Sequence, residues 1–260
     1  WFRQATLLAI ACVAGLASAT AQTGSSDETI RLIAVGDICF ARGVEEAAAR
    51  SGPRYPFEHV LPTLKQADLV FGNLECALTT HRNAVPKRYN FRASPAWASK
   101  LAKAGFDAVS VANNHTQDYG TVGLADTIRS LTRARVLPVG GGLTLSGARR
   151  PRILERKGVR VAFLAYLGMF PPLLPLEPAG PSVAMADPVH MRADIASAAG
   201  KADAVIVSIH AGVEMRTTPS WRQKSLAREA ISAGADVVVG HHPHVVQPLV
   251  QYRGKHIFYS

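Results

Sequence analysis

Polar side chains that can bind a metal ion follow five apolar runs of this sequence. The candidate ligands are Asp37, Glu75, Asn114, His210, His242 and His244. A lone aspartate or histidine in such a position is usually a turn former or a packed residue. As a set, these carboxylate, amide and imidazole groups suit Zn²⁺, Mn²⁺ or Fe²⁺, bound as one ion or as a pair of ions.

The two closely spaced histidines give the sharpest local pattern. Residues two apart in an extended segment point to the same side, so His242 and His244 can face one ion if Pro243 stiffens the loop suitably. Glu214, four residues beyond His210, has two interpretations: it contacts substrate, or it makes a hydrogen bond within its own loop.

His115 directly follows Asn114 and predicts a different role. Its imidazole can act as a general acid or face a phosphate, while the amide oxygen of Asn114 binds the metal. Asp118, three residues later, either orients His115 or caps the helix that follows Tyr119. We also expect Asn73 to contact substrate.

These positions can converge only if the apolar runs are neighbouring strands. Such runs predict buried strands at 30–35, 69–71, 108–111, 159–165, 204–209 and 237–239. Helical patterns lie between them, at 95–104, 124–134, 189–199 and 220–233. The alternation predicts an α/β fold with largely parallel strands, in which ligands gather at the carboxyl ends of the strands. Segments 246–252 and 256–260 predict a hairpin, which adds antiparallel strands.

Composition describes one globular domain and excludes several classes of protein. Of the 260 residues, 48% are hydrophobic and 18% charged, which excludes disordered, collagen-like and coiled-coil chains. The formal charge of +10 favours an anionic polymer or a phosphorylated partner, or reflects solubility alone. Dispersed basic residues and 7% aromatic content argue against nucleic acid as a partner.

Gly140-Gly141-Gly142 lacks the lysine and the spacing of a phosphate-binding loop, and therefore predicts a turn. No Gly-x-Ser-x-Gly motif of serine hydrolases is present. The proline-rich segment 168–188 predicts an irregular loop that either covers one side of a site or only connects elements.

The first residues predict an export leader. Arg3 precedes an apolar run over 5–17, and Ala19-Thr20-Ala21 carries the small residues that signal peptidase accepts. We expect 1–21 to be a signal peptide, 22–29 a polar linker and 30–260 the folded domain, in the periplasm or at the cell surface. The last predicted strand stops at Ser260, so we expect further C-terminal strands beyond this sequence.

Five motifs occur in order over 30–260: Gly36-Asp37, Asn73-Leu74-Glu75, Ala112-Asn113-Asn114-His115 with Asp118-Tyr119-Gly120, His210-Ala211-Gly212-Val213-Glu214, and Gly240-His241-His242-Pro243-His244-Val245-Val246-Gln247. This set resembles the bacterial capsule-synthesis family typified by CapA, poly-γ-glutamate capsule proteins of the calcineurin-like metallophosphoesterase superfamily. The resemblance implies a four-layer α-β-β-α sandwich of the metallo-dependent phosphatase type, with mixed sheets. It also implies a divalent-metal site formed by the six candidate ligands, with His115 as the acid.

Two departures from the general phosphoesterase pattern affect what the resemblance implies. Cys39 stands where the first motif usually has a histidine, and Asn73 with Glu75 replaces the usual pair of aspartates. Three states remain open for Cys39 and Cys76: ordinary buried thiols, a disulfide, or a Cys39 thiolate that binds the metal.

Together with the predicted leader, the resemblance leads us to expect an exported, metal-dependent hydrolase or transferase of capsule biosynthesis, acting on an anionic polymer such as poly-γ-glutamate. Contact with the membrane is expected only through other capsule machinery. A general periplasmic phosphomonoesterase or phosphodiesterase is the second hypothesis. A non-catalytic polymer-binding or export subunit on the same fold is the third.

Overall fold

Strands and helices alternate along the chain. The structure, a computed structural model, describes residues 7–11, 29–52, 54–169 and 179–260. Its strands are β1 (Leu7–Ala11), β2 (Ile30–Ile38), β3 (Leu69–Leu74), β4 (Ala77–Leu78), β5 (Arg92–Ala93), β6 (Ala108–Ser110), β7 (Leu137–Val139), β8 (Gly141–Gly142), β9 (Arg152–Arg156), β10 (Val159–Leu167), β11 (Ser182–Val183), β12 (Ala204–His210), β13 (Val237–His241), β14 (Leu249–Tyr252) and β15 (Lys255–Phe258). Its helices are α1 (Gly43–Ser51), α2 (Leu61–Leu64), α3 (Trp97–Ala104), α4 (Gly120–Arg133), α5 (Leu145–Arg149), α6 (Pro188–Ala199) and α7 (Trp221–Ser232).

The described strands form two main sheets, one from each half of the chain. The first has the order β1-β2-β3-β6-β7, and every neighbouring pair is parallel. The second has the order β14-β15-β13-β12-β10-β9, with a parallel centre and antiparallel edge strands β14 and β9. The predicted hairpin is the β14–β15 pair, so the prediction of mixed sheets is confirmed.

The two sheets pack face to face, and helices cover both outer faces. Because side chains of a strand alternate in direction, Leu69 and Phe71 of β3 point between the sheets, whereas Val70 points toward α3. Phe71 stacks on Phe163 of β10 with ring centroids 5.4 Å apart. Helices α6 and α7 cover the outer face of the second sheet. This α-β-β-α arrangement confirms the predicted fold class.

An aspartate precedes four of the parallel strands and ties each of them to a neighbour. The carboxylates of Asp68, Asp107, Asp203 and Asp236 accept the backbone N–H groups of Arg31, Val70, Arg160 and Val205, at 2.9, 2.9, 2.9 and 2.8 Å respectively. Each of these carboxylates also pairs with a lysine or arginine. The acidic groups at this end of the sheets are therefore used by the fold itself.

The turn predicted at Gly140–Gly142 is wrong. Gly141 and Gly142 form strand β8, which pairs with β11. A side chain cannot be placed at Gly140, because its φ is 76° and a Cβ there would lie 2.5 Å from the carbonyl oxygen of Ala165. Gly140 therefore allows close packing of backbone against β10. Strand β11 gives part of the predicted irregular loop a regular structure. Residues 170–178 of that loop lie outside the described residues.

Strand β1 comes from the segment predicted to be a leader, and its backbone pairs with Ile30–Ala34 of β2. The predicted cleavage motif and most of the linker lie outside the described residues. Of the helices in the described part of the chain, none has the length and apolar character needed to cross a bilayer.

Candidate metal centre

The candidate ligands meet at the carboxyl ends of β2, β3, β6, β12 and β13. Parallel strands end at the same edge of a sheet, which brings residues far apart in the sequence together. In β2 the register shifts between Ala34 and Asp37, and this irregularity changes the direction in which the Asp37 side chain points. His244 Nδ1 lies 3.1 Å from Asp37 Oδ2, although the two residues are 207 positions apart in the sequence.

Asp37 is the most highly connected of these groups. Its Oδ1 accepts a hydrogen bond of 2.8 Å from the Asn73 amide, and its Oδ2 accepts the backbone N–H of His242 at 3.2 Å. Burial alone would raise the pKa of Asp37, but hydrogen bonds from His241 and His244 hold this pKa well below its usual range. Asp37 is therefore ionised at any physiological pH and can serve as a metal ligand.

Glu75 is the clearest sign that a cation belongs here. Its side chain is buried, and its Oε1 lies 3.5 Å from His210 Nε2 without a hydrogen-bond partner among the described residues. Burial and the negative charge of Asp37 raise the pKa of Glu75 to about 10. Ionising this buried group beside Asp37 is costly, and a bound cation offsets that cost.

Two overlapping sets of side chains can hold a metal ion. In each set the ligand atoms lie within 4.8 Å of one another: Asp37, Glu75 and His210 form one, and Glu75, His242 and His244 the other. Glu75 belongs to both, so the arrangement fits one ion or two ions that share a carboxylate. Asn114 adds an amide oxygen, which lies 2.9 Å from His210 Nε2. This donor set fits a divalent metal such as Zn²⁺, Mn²⁺ or Fe²⁺.

The loop that carries the two histidines is not extended, contrary to the expectation from their spacing. His242 has φ 100° and His244 has φ 56°, both in the left-handed region that side chains disfavour. The two imidazole rings lie 5.8 Å apart, and that of His242 lies 4.9 Å from His210. Backbone strain of this kind is typical of functional sites, where it fixes ligand positions in advance.

His115 is held beside these ligands by a buried carboxylate. Its Nδ1 lies 2.7 Å from Asp118 Oδ2, and its ring stacks on Phe91 with centroids 4.0 Å apart. The alternative that Asp118 caps the next helix is wrong, because Tyr119 occupies the cap position of α4 and no side chain caps it. Lys87 donates to Asp118 Oδ1 at 2.5 Å, so the carboxylate joins a lysine to a histidine.

Asn73 and Glu214, the two residues expected to contact substrate, differ in burial and in hydrogen bonding. Asn73 is fully buried, and its amide contacts Asp37, His210 and Asn113, so in this structure it positions other side chains, and the expected substrate contact stays a prediction. Glu214 is exposed and makes no hydrogen bond to a described residue, so the loop hydrogen bond is not formed. Substrate contact remains the prediction for Glu214.

Cys39 and Cys76 are free thiols in this structure, Cys76 buried and Cys39 partly exposed. A hydrogen bond between them lowers the pKa of Cys39 to about 7, and the same bond with burial raises the pKa of Cys76. Neither cysteine belongs to the two ligand sets found among the described residues. The structure thus places the thiols beside the centre and outside its ligands.

Sequence reasoning missed two residues of this region. His241 is buried, and its Nδ1 lies 3.4 Å from Asp37 Oδ1; as the residue between Gly240 and His242 it stands within the last of the five motifs. Lys87 also donates to the backbone oxygen of Asn114, at 2.7 Å. No sequence pattern marks Lys87, because it lies in an irregular segment far from its partners.

Metal affinity is expected to rise with pH. The free protein holds a proton on Glu75 at neutral pH, since its pKa is raised to about 10, and that proton must leave before the carboxylate can bind a cation. Affinity should therefore increase about tenfold per pH unit from about pH 6 to 9. Titration calorimetry in buffers of different ionisation enthalpy measures the released proton, and Glu75→Gln should abolish that component. A pH-independent affinity of the unsubstituted protein contradicts the prediction.

Comparison with known proteins finds relatives over almost the whole domain. The chain is 34% identical over 238 residues to the PGA biosynthesis protein CapA of Bacillus subtilis, covering 90% of this chain and 63% of the relative. It is 36% identical over 242 residues to the capsule biosynthesis protein CapA of Bacillus anthracis, covering 90% and 59%. The chain thus spans less than two thirds of either relative's length.

Solved structures with a similar fold have low sequence identity. A hypothetical protein from Thermus thermophilus superposes with a TM-score of 0.54 at 20% identity, covering 87% of this chain and 74% of the other. The calcineurin-like phosphoesterase YfkN from Bacillus subtilis gives a TM-score of 0.47 at 17% identity, covering 86% and 62%.

A family model supplies the assignment. The model for the bacterial capsule synthesis protein PGA_cap matches residues 31–260, a span that contains every candidate ligand from Asp37 to His244. With the relatives from Bacillus, this match shows that the chain belongs to the bacterial capsule synthesis protein family PGA_cap.

Proposed function

We propose that this chain is an exported, metal-dependent hydrolase or transferase that acts on an anionic polymer, poly-γ-glutamate, in capsule biosynthesis. The observation that carries the proposal is the buried Glu75 carboxylate, which lacks a hydrogen-bond partner at Oε1 and lies between Asp37 and His210. A divalent cation at this position supplies Lewis-acid activation of the scissile bond and of water. The names of the two Bacillus relatives support the choice of a capsule polymer.

The chain's own residues divide the remaining work. Asn73 fixes the Asp37 carboxylate, and Asn114 contacts His210, so both hold ligands in place. The His115 imidazole, oriented by Asp118, has its Nε2 directed away from that carboxylate and can give a proton to a leaving group. Glu214 is exposed, in a loop in which the Met215 N–H donates a hydrogen bond to the carbonyl oxygen of Pro243. It is available to contact the polymer near His242.

Turnover by the metal-loaded protein tests the proposal. The purified protein is loaded with Zn²⁺, Mn²⁺ or Fe²⁺, its bound metal is measured by elemental analysis, and the length of poly-γ-glutamate is followed by size-exclusion chromatography. We expect shortening or transfer of the polymer that stops in EDTA and returns when metal is restored. If the protein takes up none of these metals, the proposal is wrong.

A phosphoesterase is the second candidate, favoured by the buried His115–Asp118 pair beside the ligands. It predicts turnover of simple phosphate esters that is lost in His115→Ala. Polymer binding that is insensitive to EDTA, with no turnover of esters or amides, instead selects a non-catalytic binding or export subunit.

Export is the part of the proposal that rests on sequence alone. Arg3, the apolar run over 5–17 and Ala19-Thr20-Ala21 support a cleaved leader. Protein expressed with its own N-terminus is expected outside the cytoplasm with Gln22 as the first residue, as mass spectrometry of the terminal peptide will show. Recovery of the uncleaved chain in the cytoplasm contradicts it.

A further inference from the structure

Arg42 holds a guanidinium group without a hydrogen-bonded partner next to the metal centre. It follows β2, five residues after Asp37, and precedes α1 with φ 60° and ψ −136°. This backbone conformation is costly for a residue with a side chain and relaxed for glycine. Arg42 is exposed and makes no hydrogen bond or ion pair with any described residue. An arginine thus stands where glycine would relax the backbone, although none of the described residues uses its five N–H donors.

Aromatic rings set the position of this guanidinium. Its Cζ lies 5.6 Å from the ring centroid of Tyr89 and 5.7 Å from that of Phe91. The Phe91 ring in turn stacks on His115, with centroids 4.0 Å apart. Only one aromatic ring therefore separates Arg42 from the proposed acid. Cation–π contacts hold the planar group without consuming its donors.

A second arginine flanks the same tyrosine. Arg88 Cζ lies 5.0 Å from the ring centroid of Tyr89, whose side chain is 46% exposed. Arg88 is exposed and, like Arg42, makes no hydrogen bond or ion pair within the described part of the chain. The neighbouring Lys87 differs, since Asp118 neutralises it. Two available guanidinium groups thus lie against one exposed ring, and no described carboxylate pairs with either arginine.

We propose that Arg42, Arg88 and Tyr89 form a subsite that binds carboxylate groups of the polymer next to the metal centre; this proposal rests on the proposed function. Arginine forms paired hydrogen bonds with a carboxylate in a geometry that lysine cannot match. Two arginines against one ring suit a chain that repeats a carboxylate in every unit. The subsite holds the polymer beside His115 through its charges, independently of the metal ligands.

The chain contains a matched control. Arg253 in the β14–β15 turn is also exposed, has φ 52° and lies 5.5 Å from the ring centroid of Tyr252. A second arginine, Arg228, lies 5.5 Å from the same ring. This arrangement reproduces the charge, the positive φ and the ring contact of Arg42. It stands at the opposite end of the second sheet, where β15 begins, and so away from the centre.

Binding of labelled γ-glutamate oligomers to the metal-loaded protein, measured by fluorescence anisotropy, tests the subsite. We expect Arg42→Gly and Arg88→Ala to weaken binding about 10- to 100-fold, the scale of lost charge-assisted hydrogen bonds. Arg42→Lys should bind the oligomers more tightly than Arg42→Gly but less tightly than the unsubstituted protein. Arg253→Gly should bind like the unsubstituted protein. Because glycine relaxes φ at position 42, thermal unfolding of Arg42→Gly should occur at or above the original temperature, which separates lost binding from lost folding.

Each other result overturns a definite part of the inference. Equal binding by Arg42→Gly and the unsubstituted protein overturns the subsite and leaves the proposed function standing. A loss in Arg253→Gly as large as that in Arg42→Gly shows attraction by net charge alone and also overturns the subsite. Binding of inorganic polyphosphate but not of γ-glutamate oligomers overturns the carboxylate polymer as ligand. Unsubstituted protein that binds neither polymer overturns the proposed function together with the subsite.

Discussion

Asp37→Asn is expected to lower metal affinity about 100-fold or more, since even partners that only orient a ligand are worth about 10- to 100-fold. The substitution preserves shape but removes the ionised oxygens that contact Asn73, His244 and the backbone of His242. The asparagine amide also has an NH₂ group in place of one of the two carboxylate oxygens that accepted hydrogen bonds, so one of these bonds is lost. Both effects act on the centre, because Asp37 lies at the end of β2 and the body of that strand is unaffected.

Asp68→Asn is the matched control for this experiment. Asp68 stands at the other end of the same sheet, where it accepts the backbone N–H of Arg31 and pairs with Lys157. Its substitution should lower thermal stability slightly and leave metal content unchanged. Equilibrium dialysis with elemental analysis measures both variants, and circular dichroism checks folding. Asp37→Asn that retains metal with the original affinity would place the centre elsewhere.

The strands and the candidate ligands at their ends were predictable because both depend on local sequence patterns. Buried β-branched runs specify the strands, and the rule that ligands collect at strand ends then selects Asp37, Glu75 and His210. The contact between Asp37 and His244 follows once both strands belong to facing sheets with the same orientation. The four-layer architecture itself came from the resemblance, since runs and helices alone do not fix how two sheets pack.

Residues that act through irregular backbone were not predictable. Lys87 reaches Asp118 across 31 positions from a segment without helical or strand periodicity. The positive φ angles of His242 and His244 depend on contacts with other loops, so the spacing suggested an extended segment instead. The Asn73 amide looked available because its neighbours are distant in sequence, yet Asp37 and Asn113 enclose it completely.

His115→Ala is expected to reduce turnover of poly-γ-glutamate about 10²- to 10⁴-fold, the usual contribution of a general acid, while metal content stays unchanged. The imidazole is not part of either ligand set, and its Nδ1 is committed to Asp118. Removing it therefore removes a proton donor and the stacking partner of Phe91, but no metal ligand. Asp118→Asn should lower turnover as well, because an amide cannot hold the imidazole and Lys87 in the same way.

His256→Ala provides the comparison needed to assign that loss to position 115. His256 lies on β15 at the far end of the second sheet and contacts Gln251, so its removal should leave both turnover and metal content unchanged. Turnover and bound metal are measured on the same preparations, which separates a lost acid from a lost cation. Loss of metal in His115→Ala makes the imidazole a ligand, and full turnover in that variant requires another proton donor. Reduced turnover with full metal occupancy assigns the loss to His115 itself and not to the cation, as expected for an acid beside an intact centre.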